Sequence, residues 1–217
     1  MAKKSYIGIS NYARNIKAMY VGVSNSAKKV LKGYIGDANG IARQFFLGYT
    51  LHTGSPFPTT WTSSDVKTAS GTNTDGVVFD VVAETSDSDY TTYVKNLFTS
   101  TGYRVFDNLS SNNTILNRDI TITCSKPINI ASVYMYLDLA ISGYTIWLYL
   151  YGSNVAGSVG TRLVSLSTSG STAVESTTDI GDAFYQYWTV RVSCTTSGNT
   201  KLTHPKIKVI PQTYYTK

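Results

Sequence analysis

The stretch Phe184-Tyr185-Gln186-Tyr187-Trp188-Thr189-Val190-Arg191-Val192-Ser193-Cys194 alternates. One set of positions reads Phe184, Gln186, Trp188, Val190, Val192 and Cys194. The other reads Tyr185, Tyr187, Thr189, Arg191 and Ser193. Successive side chains of a strand point to opposite faces, so a period of two marks a strand with one buried face. The first set looks inward, Gln186 excepted, and the register places Cys194 with the core.

Outward from this stretch the chain from Trp61 onward reads the same way. Val77–Val82, Tyr103–Phe106, Asp119–Cys124, Ile130–Leu139, Tyr144–Tyr151, Arg162–Ser167 and Lys206–Ile210 are rich in Val, Ile, Tyr and Thr. Such residues fit a pleated, half-buried surface. Polar turn clusters at Ser86–Asp89, Ser110–Asn113, Gly152–Asn154 and Thr196–Asn199 separate the runs. Eight or so strands at this spacing imply a sandwich of the jelly-roll kind. A helix is expected at most over Tyr90–Phe98, where Tyr90, Tyr93, Val94 and Leu97 share a helical face and Asp87 or Asp89 would cap it. Thr91 and Thr92 argue against it.

Composition agrees. Among 217 residues, 42% are apolar, 15% are charged, 17 are Tyr, and only Glu84 and Glu175 are glutamates. Few helix formers and many β-branched and aromatic residues leave little for long helices. No apolar run approaches the length of a membrane helix. The start, Met-Ala-Lys-Lys-Ser, predicts no secretory leader and no membrane insertion.

The first 46 residues differ in kind. Tyr6-Ile7-Gly8 recurs as Tyr20-Val21-Gly22 and Tyr34-Ile35-Gly36, with a period of 14 residues. Each triplet leads into a turn and then a small-plus-basic pair: Ala13-Arg14, Ala27-Lys28 and Ala42-Arg43. The turns are Ser10-Asn11, Ser24-Asn25 and Asn39-Gly40, the last unit being one residue longer. Asn tolerates positive φ and Asn-Gly is a strong hairpin signal, so each unit reads as a β-hairpin. A lone hairpin is marginal in water, so the repeats are expected to oligomerise or dock on a partner. Tyr6, Gly8, Tyr20, Gly22, Tyr34 and Gly36 are the candidate assembly residues.

Charge follows the same division. The net +6 comes from residues 1–46, with eight Lys/Arg against Asp37 alone. Alternating lysines suit the solvated faces and guarded edges of strands. Docking on an acidic partner is the less favoured reading, and nucleic acid the least, because no aromatic pattern fits a nucleic-acid module. Residues 47–60, with Gly48, Gly54, Pro56 and Pro58, read as a linker of little regular structure. The expected fold class is therefore all-β: repeated hairpins over 1–46, a linker over 47–60, and a jelly-roll β-sandwich over 61–217.

The repeats resemble the N-terminal repeats of virion structural proteins from phages and prophages of Gram-positive, gut-type bacteria. The resemblance covers residues 3–46. The C-terminal part resembles the galactose-binding-like jelly roll of discoidin-type domains and carbohydrate-binding modules. That second likeness runs through Ile120-Thr121-Ile122, Lys126-Pro127-Ile128-Asn129-Ile130, Val133-Tyr134, Tyr144-Thr145-Ile146, Tyr151-Gly152-Ser153-Asn154, Leu163, Tyr187–Val192 and Ile207-Lys208-Val209. It lacks the terminal disulfide pair, and Phe106-Asp107-Asn108 stands where a Phe-Asp-Gly motif belongs. The resemblance implies the fold; sugar binding depends on the loops.

Chemistry is sparse. No nucleophile elbow, paired carboxylates or phosphate loop is present, and no catalytic residue or cofactor is expected. Cys124, Cys194, His52 and His204 lack metal spacing and read as small core cysteines and unrelated histidines. Glu84, Asp87 and Asp89 form an acidic turn that matches no defined calcium loop. Trp61, Tyr90, Tyr93 and Tyr103 fall in or near turns and are the candidate sugar-stacking residues, weighed against packing in the core. The expectation is a non-enzymatic virion protein assembled in the host cytoplasm. In the first reading it is a trimeric tail-fibre or baseplate appendage, which binds other virion proteins through residues 1–46 and a bacterial surface saccharide through its jelly roll. In the second it is a capsid decoration or head-fibre subunit with no ligand. A depolymerase is the distant third.

Overall fold

A computed structural model describes the side chains of residues 49–63, 65–84, 92–104, 117–138, 145–169, 172–193 and 205–216, and the backbone alone of the other strand residues named below. The chain divides into two compact units, residues 1–52 with 215–217 and residues 53–214.

The first unit begins with three antiparallel hairpins. They are β1 (Tyr6–Ile9) with β2 (Tyr12–Asn15), β3 (Met19–Val23) with β4 (Ser26–Val30), and β5 (Lys32–Gly36) with β6 (Ala42–Leu47). Each forms its own two-stranded sheet. The 14-residue period has a backbone meaning: the glycine of every triplet pairs with the alanine of the small-plus-basic pair. The partners are Gly8 and Ala13, Gly22 and Ala27, and Gly36 and Ala42. The longer third unit takes its extra residue in the turn, since Gly36 and Ala42 lie six positions apart where the other two pairs lie five apart, and a separate register shift follows between Gly33 and Tyr34. The three turn pairs lie outside the described residues. β7 (Thr50–Thr53) occupies part of the stretch expected to be irregular. At its end His52 Nε2 lies 2.8 Å from Thr216 Oγ1, and the Tyr49 and Tyr215 rings meet at 6.3 Å.

The second unit is a jelly-roll β-sandwich. Its strands are β8 (Thr68–Thr72), β9 (Val78–Ala83), β10 (Arg104–Val105), β11 (Leu109–Ser110), β12 (Leu116–Asn129), β13 (Ser132–Asp138), β14 (Thr145–Ser153), β15 (Thr161–Thr168), β16 (Val174–Asp179), β17 (Phe184–Thr195), β18 (Lys201–Leu202) and β19 (Lys206–Thr216). One sheet runs β15-β14-β17-β12-β9-β8, the other β10-β19-β13-β16. Successive strands change sheet (β12 to β13, β13 to β14, β15 to β16, β16 to β17), so consecutive segments cover each other's apolar faces.

The core lies between the sheets. Ile120, Ile122 and Cys124 of β12, Ile146, Leu148 and Leu150 of β14, and Trp188, Val190 and Val192 of β17 meet Val133, Met135 and Leu137 of β13 and Ile207 and Val209 of β19. Each set follows the period of two. Of the inward set read from β17, Trp188, Val190 and Val192 are buried and Gln186 is half-buried. The side chain of Cys194 lies outside the described residues. Tyr185 packs against the core cluster instead of standing outward. A register shift in β12 between Thr123 and Ile128, around Pro127, displaces this end of the ladder. Proline has no N–H for a ladder and settles at such irregularities. Pro211 sits likewise beside a shift between β13 and β19.

The stretch Tyr90–Phe98 forms only a 3-10 helix, Val94–Phe98, with Val94, Leu97 and Phe98 buried and no side-chain cap. Tyr90, Asp87 and Asp89 lie outside the described residues. Sequence patterning does not single out β8, β11, β16 or β18, and Ser110, expected in a turn cluster, ends β11.

Candidate functional site

The outer face of the six-stranded sheet collects the second set of every strand. Strand pairing arranges it in rows. Ser167, Trp147, Ser193 and Asn117 form one. Ser165, Tyr149, Arg191 and Asp119 form the next, then Arg162, Tyr151, Thr189 and Thr121, then Ser153, Tyr187 and Thr123. Trp147, Tyr149 and Tyr151 alternate along β14 with the core residues Ile146, Leu148 and Leu150, so three aromatic rings are stacked up one strand. At about 3.4 Å per residue they extend over about 13 Å. All three are half-buried. The Tyr149 and Tyr151 rings meet edge to face at 5.9 Å.

Polar groups fix this track. Arg191 donates from Nε to Asp119 Oδ1 and from Nη2 to Asp119 Oδ2, both at 2.7 Å. A two-pronged pair of this kind holds the guanidinium in one plane. That plane lies 5.5 Å over the Tyr151 ring, and Arg162 lies 5.5 Å over the Tyr149 ring. Ser193 donates to Asn117 Oδ1 at 2.8 Å, and Glu84 Oε2 accepts from the Asp119 backbone N–H at 3.2 Å. Flat apolar rings flanked by oriented donors and acceptors suit a ligand that is itself flat and apolar on one side and hydroxyl-rich at its edge.

The candidates read from turns are placed elsewhere. Trp61 is half-buried and stacks on Phe98 at 5.2 Å, with Phe57 and Phe79 edge-on at 6.3 and 6.2 Å; it belongs to an aromatic cluster on the core. Tyr93 is 45% exposed beside Lys95, whose Nζ lies 5.2 Å over its ring. Tyr103 stands on the outer face of the other sheet, where its ring meets Tyr136 at 5.3 Å and Lys208 Nζ at 4.1 Å. Trp61, Tyr93 and Tyr103 are not brought together by any contact between them. Tyr90 lies outside the described residues.

On the four-stranded sheet Lys208, Tyr136 and Glu175 form a second row, and Tyr103 lies against its Lys208 and Tyr136. Lys208 is 7% exposed and donates to the Ser100 carbonyl at 2.5 Å. Tyr134 donates to Glu175 Oε2 at 2.6 Å. Burial first, and then that carboxylate, push the Tyr134 hydroxyl up to about 12. These groups are spent on one another, which leaves the β14 track as the better site. Among the described residues no cluster of three metal-ligating side chains exists. Glu84 is described, whereas Asp87 and Asp89 are not, so the acidic turn lies outside that statement. No helix among the described residues is long and apolar enough to cross a membrane.

The β14 track was legible in part. Tyr144–Tyr151 reads as a strand, and its alternate set is all aromatic from Trp147 to Tyr151. Arg191 and Asp119 stand in the row of Tyr149, yet lie 42 positions after it and 30 before it in the chain, and only the sheet order unites them.

No family model matches the chain, and no curated protein matches it in sequence. Among solved structures, one similar chain is the carbohydrate-binding module TmCBM61, determined in complex with β-1,4-galactotriose. The match has 8% identity and a TM-score of 0.32, and covers 64% of this chain and 88% of that one. Two others are structures of infectious bursal disease virus, Gt and Gx strains, at 10% and 11% identity and TM-scores of 0.25 and 0.22. Each covers 77% of this chain, which spans about half of theirs, 51% and 53%. At these identities and scores none of them assigns a function to this chain.

Proposed function

We propose that the chain is a phage virion structural protein, a tail-fibre or baseplate appendage subunit, whose β-sandwich binds a saccharide of the bacterial surface. The observation that carries the binding half is the Trp147–Tyr149–Tyr151 track with the Asp119–Arg191 pair beside it. Sugar rings present apolar faces that stack on such rings at little entropic cost. The hydroxyls at their edges meet Arg191, Asp119, Asn117 and the serines of β15.

The assembly half rests on the hairpins and on their resemblance to virion repeats. Each hairpin is a separate two-stranded sheet, and two strands alone are marginal. Pairing with further copies, as in a trimer, or with other virion proteins supplies the missing contacts. No catalytic step or cofactor is assigned.

Calorimetric titration of the full chain with polysaccharides from Gram-positive cell surfaces tests the binding half. Binding that falls at least about tenfold in Trp147→Ala, with melting unchanged, is the expected result. No binding to any surface polysaccharide overturns it. That outcome favours a decoration subunit on a capsid, in which the Arg–Tyr face is a protein contact.

A further inference from the structure

We infer that the saccharide bound on the β14 track is anionic, and that Arg162 is the residue that recognises its carboxylate or phosphodiester; this rests on the saccharide reading above. Two guanidinium groups lie on the aromatic half of the face, Arg162 on β15 and Arg191 on β17. They differ in one respect. Arg191 has both prongs on Asp119, whereas among the described residues no carboxylate lies within ion-pair distance of Arg162.

Arg162 is exposed, and its guanidinium lies 5.5 Å over the Tyr149 ring. The Tyr149 hydroxyl is also a hydrogen-bond partner of Arg162, yet a guanidinium carries five N–H donors, and on an exposed side chain the rest of the fork can match a carboxylate or a phosphate two-pronged. The acids of the same face stand on the far strands. Asp119 is on β12, three strands from β15, and Asp80 and Glu84 are on or just after β9, four strands away. At about 4.8 Å per strand these are roughly 14 and 19 Å. Both exceed the Debye length of about 8 Å at physiological salt, so they do not neutralise Arg162. The face is thus polarised: aromatic and cationic towards β15, acidic towards β9. A glycan that stacks on Trp147 and Tyr149 brings its substituents to Arg162 without meeting those acids.

The test uses the full chain and three probes of similar length: an oligogalacturonate, a glycerol-phosphate oligomer and a neutral gluco-oligosaccharide. Dissociation constants are measured at 50 and 500 mM salt for the wild type, Arg162→Gln and Arg162→Lys. At 50 mM salt, one or both anionic probes should bind roughly fivefold or more tighter than the neutral one. The preference should shrink at 500 mM. Arg162→Gln should lower the anionic-to-neutral ratio by about as much, and Arg162→Lys should restore part of it. The two anionic probes distinguish a carboxylate from a phosphodiester ligand.

Equal binding of all three overturns the anionic ligand and leaves the saccharide reading standing. Binding of none overturns both. A preference for anions untouched by Arg162→Gln overturns the role of Arg162 and assigns the effect to other cations, the lysines of residues 1–46 foremost.

Discussion

Asp119 and Arg191 face each other across β12 and β17, and each carboxylate oxygen takes its own N–H at 2.7 Å. Side chains in this pair keep about a quarter of their exposure, 25% for Asp119 and 23% for Arg191. The contact therefore lies between a surface pair, worth little, and a buried one, costly to break. Asp119→Asn should lower stability by about 1–2 kcal/mol and weaken glycan binding, because Arg191 loses its plane. Denaturant unfolding and titration of the same variant check both. A double-mutant cycle with Arg191→Gln should return a positive coupling.

Trp188 fills the centre of the core and donates its indole N–H to the Tyr185 carbonyl at 3.2 Å. Truncation to alanine removes the largest fully buried side chain and should cost about 3–5 kcal/mol. Urea unfolding should show a lower midpoint, with an unchanged slope if the native state stays compact.

Gly152 is needed for space. A Cβ there would lie 2.4 Å from Tyr185 Cδ2 and 2.6 Å from its Cγ, the root of a ring that cannot swing clear. Gly152→Ala should cost about 1–3 kcal/mol. In a Tyr185→Ala background the same change should cost less, which a thermal melt of all four proteins reads directly.

Tyr134 makes stability depend on alkali. Its hydroxyl is pushed from an ordinary 10.0 up to about 12 in the folded chain. The unfolded chain gives up this proton first, so the contribution is complete below about pH 10 and is lost as pH rises through about 12. Unfolding free energy should fall over that window, more gently in Tyr134→Phe. Tyr136 is raised too, again by burial first, so part of the slope should persist.

Cys124 carries a free thiol with no exposure, and burial pushes it up to about 12. Such a thiol is inert while the sandwich is folded. In a Cys194→Ser variant, a thiol reagent at pH 8 should label Cys124 only on addition of denaturant. Rapid labelling of the native protein would contradict the burial of Cys124 in the core between the sheets.

Strands with a large apolar set were legible. β12, β13, β14, β15, β17 and β19 each contain a run visible as alternation, because both burial and propensity act on the same residues. β16 was not: Val174-Glu175-Ser176-Thr177-Thr178-Asp179 buries no residue fully and lies on a sheet edge, so its pattern is faint. β8 is composed of small residues of which only Ala69 is buried, and Gly71 is fitted under Pro58 and the Thr60 carbonyl. The site was hidden for another reason. Turn aromatics draw attention in a sequence, yet Trp61 was drawn into the core by Phe57, Phe79 and Phe98. The β14 aromatics gain their meaning from Asp119 and Arg191, which only the sheet order brings alongside.

The pairing of β12 with β17 also governs how the sandwich must be made. It joins residues 116–129 to residues 184–195, so the middle of the large sheet is closed only after β13 to β16 have been synthesised. Pairings so distant in sequence place such domains among slow folders, on the scale of milliseconds to seconds. Until β17 emerges, β12 has β9 on one side only, and its other edge, carrying Ile120 and Ile122, is an open apolar strand edge of the kind that sticks to other chains. Yield on expression should therefore depend on temperature and rate of synthesis more than on the stability of the finished protein.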